Sequence, residues 1–502
     1  MRVVAALALL FSLLSPANAS AGPVVPTTSG PVRGVDDGGF RAYQGIPYAA
    51  PPVGSLRWTA PRPVRPWSQV RDATKPGPAC RQDVPSGTPE SLVSEDCLYL
   101  NVTAPKSAHR LPVMVWLHGG GFFEGQGSDY DPRRLIRGGN VVVVTVNYRL
   151  GIFGFFNHPS LGRDGGAFGL QDQQAALRWV RANVARFGGD ASNVTLFGES
   201  AGGMSTCSQL VSPAAAGLFD KAIVMSGSCS MNWPKEALGP GLPAIAPWIP
   251  ASMSQGIGAG DMQKLGCDDL KCLRGKKAAE LMKYFMDFAL VTYGNRTLPE
   301  APAAAVEAGH FHRIPVMQGN TRDEHSSWVA YTDMRQKIDL GRYRSMLAAS
   351  FGRNAAKVER EYPASGYATP ATALSAVWTD RSWICPALVA DKGFARHTRT
   401  YAYEFGDRTA PPIAEFPADM PPGASHGSDL VYLFDVDGTT SSVLNAAQRK
   451  LSGQMIGYVT SFAATGRPGW RAFPTVQSFV PGAVGPVDLT AEHHCGFWSA
   501  IS

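Results

Sequence analysis

Residues 193–203 read Asn-Val-Thr-Leu-Phe-Gly-Glu-Ser-Ala-Gly-Gly. The β-prone run Val194-Thr195-Leu196-Phe197 enters Gly198-Glu199-Ser200-Ala201-Gly202, and small residues able to open a helix follow. A strand that turns directly into a helix crowds its own backbone, and Gly198 and Gly202 relieve that crowding on either side of Ser200. The turn lifts the Ser200 hydroxyl out of the sheet and aims a helix N-terminus at the reacting oxygen. The spacing predicts a nucleophile elbow with Ser200 as the attacking group. A second match to the pattern, Gly423-Ala424-Ser425-His426-Gly427, follows a proline-rich stretch (Pro417, Pro421, Pro422) with no β-branched run. Strand context therefore selects Ser200 over Ser425.

Around this elbow the chain alternates β and α patterns. Pro112–Leu117 and Val141–Tyr148 are almost wholly apolar and β-branched, as strands buried on both faces must be. Asn193–Phe197, Lys221–Met225, Arg313–Gln318 and Thr400–Phe405 read as further strands. Gln171–Phe187 carries Ala175, Ala176, Trp179, Val180 and Val184 at helical spacing and stops at Gly188-Gly189. The fold class expected is α/β, a large, mainly parallel central sheet with helices on both faces. Residues 23–75 read as an irregular platform, and residues 230–310 and 330–380 as helical insertions forming a cap. No repeat or low-complexity linker divides the chain, so residues 20–502 are expected to form one domain.

Composition narrows the function. Of 502 residues, 44% are hydrophobic and 17% charged, which describes a folded globular protein. A net charge of +6 with no dense Lys/Arg stripe argues against nucleic-acid binding. His310 and His312, and likewise His493 and His494, lack neighbours at metal-ligand spacing, so they are read as hydrogen-bonded histidines, and no metal or cofactor is expected. Met1-Arg2, the apolar run Val3–Leu14 and Ala17-Asn18-Ala19 form a signal-peptide pattern over residues 1–19, too short for a span of about 20 apolar residues. No later stretch qualifies as a span, and export is expected. Eight cysteines fit an oxidising compartment. Cys80 and Cys97 could close a surface loop, Cys267 and Cys272 a short one, and Cys385 and Cys495 could tie down the C-terminus. Cys207 and Cys229 remain, to pair or to stay as buried thiols. Asn101 and Asn295 head Asn-x-Thr sequences.

A serine hydroxyl needs a base within hydrogen-bonding reach, oriented in turn by a carboxylate. In doubly wound enzymes these partners follow the serine in the order acid, then histidine. Of ten histidines, His426 lies in a Gly/Ser loop downstream of the Thr400–Phe405 strand, a better setting than those of His397 or His494. Arg313–Gln318 runs into Gly319-Asn320-Thr321-Arg322-Asp323-Glu324, where Asp323 and Glu324 compete for the acid's place. His118-Gly119-Gly120-Gly121-Phe122 follows the strand ending at Leu117 and offers unobstructed backbone N–H groups to an oxyanion. The N–H of Ala201 would complete that hole. The run lacks the ending of a phosphate loop and the spacing of a dinucleotide site.

With Ser94-Glu95-Asp96-Cys97-Leu98-Tyr99-Leu100-Asn101-Val102, Asn147-Tyr148-Arg149 and Phe187-Gly188-Gly189-Asp190, these motifs resemble the type-B carboxylesterase family of the α/β-hydrolase fold. That group also holds cholinesterases and non-catalytic neuroligins. The resemblance implies Ser200 as nucleophile, Glu324 as acid and His426 as base, with Gly120, Gly121 and Ala201 as oxyanion donors. It also implies disulfides Cys80–Cys97, Cys267–Cys272 and Cys385–Cys495, and structural ion pairs Arg57–Glu95 and Arg149–Asp172. His325 stands where relatives often have glycine. The Cys80–Cys97 loop has no tryptophan, so choline-ester specialisation, which uses an indole there, is not expected. The function implied is a secreted serine carboxylesterase acting on small-molecule esters through a Ser-His-Glu triad and an acyl-enzyme. Lipase or amide hydrolase action is the alternative, and neuroligin-like binding a more distant one. Oligomeric state is left open.

Overall fold

The computed structural model describes residues 20–84, 92–436 and 444–501. The expected leader, residues 1–19, lies outside them. Among the described residues a thirteen-stranded sheet organises the chain. Its centre runs Val142–Val146, Leu111–Leu117, Gly189–Glu199, Lys221–Met225, Val316–Thr321, Thr400–Phe405 and Val476–Phe479, each parallel to its neighbour. Antiparallel strands extend one edge through Tyr99–Pro105, Phe40–Pro47, Pro31–Asp37 and Ser20–Pro26, and Gly485–Val487 adds to the other.

Alternation along each central strand feeds two cores. Val113, Val115 and Leu117 join one, with Ala176, Leu177 and Val180 from helix Phe168–Asn183 and Leu210 from helix Ala201–Val211. Met114 and Trp116 join the other, with Leu135 and Ile136 from helix Arg133–Gly139 and Leu451, Met455 and Phe462 from helix Ala446–Thr465. Both faces are therefore dry, which is why these strands read as continuous apolar runs. Among the described residues no helix is long and apolar enough to cross a membrane.

Boundaries move where tertiary hydrogen bonds compete. The strand before the elbow begins at Gly189, and helix Phe168–Asn183 gives way to a tighter turn, Val184–Phe187. The strand expected at residues 313–318 runs Val316–Thr321, because Arg313–Pro315 is spent in a turn closed by Ile314 N–H on His312 O. The strand expected at Val141–Tyr148 ends at Val146, because Asn147 O accepts from Tyr48 OH at 2.6 Å and Arg149 N–H donates to Asp172 at 3.2 Å, while Tyr148 OH donates to His118 O and the Arg149 side chain pairs with Asp172 at 2.7 Å. Arg57 pairs with Glu95 at 2.5 Å. Cysteines 80–97, 267–272 and 385–495 are bonded, and Cys207–Cys229 forms a fourth disulfide. The first insertion supplies Trp233, Leu238, Leu242 and Met286 to the main cavity, whereas among the described residues of 330–380 only Tyr331 lines it.

Candidate active site

Parallel strands place their C-terminal ends on one edge, and the sequence candidates collect there. Ser200 ends strand Gly189–Glu199 with φ +57°, in the left-handed region that ordinary residues avoid. Its N–H donates to Met225 O at 3.0 Å, and its C=O accepts from Met204 N–H at 2.8 Å. A Cβ on Gly202 would lie 1.9 Å from Leu117 O, so only glycine lets the helix start press on the neighbouring strand.

Glu324 follows strand Val316–Thr321. Its Oε1 accepts from Asn320 Nδ2 and Thr321 N–H at 2.9 Å each, and its Oε2 lies 2.6 Å from His426 Nδ1. The carboxylate only accepts, so Nδ1 carries the proton. Asp323, its competitor in the sequence, does something else. It takes two hydrogen bonds from Arg408, at 2.9 and 2.8 Å, and one from Ala424 N–H at 2.9 Å. It staples the loop carrying Glu324 to the loop carrying His426.

His426 Nε2 makes no hydrogen bond and stands 3.1 Å from Glu199 Oε1. Ser200 and His426 line one cavity of about 1140 Å³, with no hydrogen bond between them in this structure. Trp328 and Trp383 pack on the His426 ring at centroid distances of 4.9 and 4.8 Å. Ser425 is fully buried. His397 packs on Phe311, and His494 bonds Glu361 at 2.7 Å.

The charges around the imidazole are unusual. Burial pulls the His426 pKa down, but Glu199, Glu324 and the bond to Glu324 outweigh it and raise the value to about 9. Burial, reinforced by Glu324 and opposed by His426, pushes Glu199 up to about 7. Asp429 rises to about 8 through burial and the two glutamates. Burial works against the Glu324 charge as well, yet His426 and the hydrogen bonds it accepts hold its pKa below the usual carboxylate value. Glu199, Asp429, Trp328 and Trp383 did not emerge from the sequence. Only Glu199 carried a signal, its adjacency to Ser200 at the strand end.

The glycine loop lies beside the serine. Among the described residues the N–H groups of Gly120, Gly121 and Ala201 make no hydrogen bond. Gly120 O accepts from Phe123 and Glu124 N–H at 2.9 Å each, and Gly121 has φ +57°, which turns the loop back on itself. Beneath it His118, fully buried and held neutral by burial (pKa about 4), stacks on Tyr148 at 4.3 Å. Tyr148 OH donates to His118 O at 2.7 Å, which anchors the loop's first residue. Among the described residues no group of three or more His, Cys, Asp or Glu side chains is arranged to hold a metal ion.

Carboxylesterase family sequence features match residues 21–480. The chain is 44% identical to para-nitrobenzyl esterase of Bacillus subtilis (strain 168) over 313 residues, 60% of this chain and 63% of that protein. It is 34% identical to fumonisin B1 esterase of Sphingopyxis macrogoltabida over 476 residues, 88% of this chain and 82% of that one. A solved structure, a thermophilic PNB esterase, superposes with a TM-score of 0.77 at 32% identity, covering 94% of this chain and 99% of the other. With an elbow, a glycine loop and a buried acid–imidazole pair on one sheet edge, the chain belongs to the carboxylesterase family and is a carboxylic ester hydrolase of the α/β-hydrolase fold.

Proposed function

We propose that the protein is a secreted serine carboxylesterase in which Ser200, His426 and Glu324 work as a triad through an acyl-enzyme. The carrying observation is the state of His426: Nδ1 is bonded to Glu324 at 2.6 Å while Nε2 is unbonded at a cavity shared with Ser200. In the resting protein the carboxylates favour the imidazolium, so the base forms on loss of that proton. Neutral Nε2 then takes the Ser200 proton as Oγ attacks the ester carbonyl. Negative charge develops on the carbonyl oxygen, where the N–H groups of Gly120, Gly121 and Ala201 are free to donate; each such donor is worth roughly 3 kcal/mol. The alcohol leaves with the proton from Nε2, and a water repeats the cycle to release the acid. Glu324 orients the ring and stabilises its charged form. Ser–His contacts that are open in unliganded enzymes commonly tighten on substrate.

Secretion is supported by the leader pattern of residues 1–19 and by four disulfides, which persist in oxidising compartments. A lipase-like action on larger esters is favoured by exposed Leu242, Met286, Tyr331 and Ile413 at the cavity. The test is Ser200→Ala. Labelling by a fluorophosphonate and hydrolysis of a short-chain p-nitrophenyl ester should both vanish while the fold is retained. Labelling that persists places the nucleophile elsewhere.

A further inference from the structure

His325 follows Glu324 directly and is fully buried. Trp383 Nε1–H donates to its Nδ1 at 2.9 Å, and its Nε2 lies 2.7 Å from Ala237 O. An indole N–H can only donate and a carbonyl can only accept, so the two partners demand one form, the neutral ring with its proton on Nε2. Burial lowers the pKa to about 4 and keeps that form. Thr379 Oγ1 accepts from the His325 N–H at 3.0 Å, and the ring stacks on Trp328 at 5.2 Å.

One side chain therefore ties the start of its own helix, Ser326–Arg335, to two distant segments: the first insertion at Ala237 and the turn Asp380–Ile384 carrying Trp383. Trp233, Trp328 and Trp383 form a continuous wall of the cavity, with Trp383 set 5.8 Å from Trp233 and 5.3 Å from Trp328. That wall ends on the His426 ring. No lysine or arginine lines the cavity among the described residues.

We propose that His325 is a specificity-determining positioning residue, pinning Trp383 so that the tryptophan wall receives an aromatic group of the ester beside His426. This inference rests on the esterase reading above. Stacked and edge-on aromatic pairs gain energy beyond buried area only at defined ring angles, so a Trp383 ring tilted by loss of its Nε1–H acceptor would lose discrimination between aryl and alkyl esters.

The test compares kcat/KM for benzyl acetate against butyl acetate, and for methyl benzoate against methyl butyrate, by pH-stat titration. Asparagine places its amide oxygen near the Nδ1 position, whereas glutamine reaches only the Nε2 position. His325→Gln and Trp383→Phe should each lower an aryl-to-alkyl ratio about fivefold, and the double variant no further. His325→Asn should keep the ratio within about twofold of wild type, since the indole retains an acceptor. If His325→Gln does not fold, as a thermal melt would show, Trp383→Phe decides alone. Unchanged ratios in Trp383→Phe, or equal losses on all four esters in every variant, would overturn the proposal. Fluorophosphonate labelling of Ser200 separates the cases. Intact labelling with unmoved ratios sinks the pinning role only, whereas a wild type that neither labels nor turns over any ester sinks the esterase reading and this inference with it.

Discussion

Two histidines in this molecule are buried between two carboxylates, and only one of them meets a cavity. His493 bonds Asp380 at 2.5 Å through Nδ1 and Glu404 at 2.7 Å through Nε2, so both nitrogens are satisfied. Glu404 also takes Arg322, and Asp380 takes Tyr362 OH. The cluster ties the C-terminal segment, next to the Cys385–Cys495 disulfide, to the sheet. His426 has the same charge pattern but hydrogen-bonds only Glu324, and its Nε2 makes an ion pair with Glu199 at 3.1 Å and no hydrogen bond. A saturated buried ion cluster can only hold structure. One with an open nitrogen beside a serine and three free N–H groups has capacity left for a reacting group.

The sharpest way to break this contrast is His426→Ala. Ester turnover should fall roughly 10⁶-fold, since loss of the base costs nearly as much as loss of the whole triad. A p-nitrophenyl ester assay retaining more than a small fraction of turnover would show that the open nitrogen is not the base. His493→Ala should act on the other side of the comparison. It strands two buried carboxylates and should cost about 3–5 kcal/mol of stability in urea unfolding, with kcat/KM of the folded protein little altered. A stability unchanged by that substitution would deny the cluster its structural role.

A third prediction concerns pH. A carboxylate beside an imidazole favours the protonated form, so Glu199 raises the His426 pKa and delays formation of the neutral base. Glu199→Gln should move the acid limb of the kcat/KM profile to lower pH by about one unit. A limb that stays in place, or moves up, would remove Glu199 from the electrostatics of the site. The smallest effect expected is a slope. The folded pKa of His493 is raised to about 10, so its contribution to stability is complete below the unfolded histidine value of about 6.5. It declines as pH rises and is gone above about 10. In unfolding measured between pH 7 and 10, His493→Gln should flatten this part of the decline, and an identical slope in both proteins would contradict it.

The amino-acid sequence determined what local backbone geometry demands. The elbow needs glycines at 198 and 202, the loop after Leu117 needs Gly120 and Gly121 at positive φ, and strands dry on both faces must be apolar throughout. Those constraints act within a few residues and are therefore visible in a linear string. The choice between Asp323 and Glu324 is not of this kind. Both are carboxylates on one loop, and only the fold turns Glu324 to His426 and Asp323 to Arg408 and Ala424. The pairing of Cys207 with Cys229, the burial of the Asn101 and Asn295 amides in internal hydrogen bonds, and the approach of Glu199 and Trp383 to one imidazole were likewise decided by packing. Trp383 lies in the helical stretch of residues 370–395 and His426 in the loop after strand Thr400–Phe405, and they meet only because both segments pack over one sheet edge. Contacts between residues so far apart depend on the register and layering of the whole sheet, and no short window of sequence encodes them.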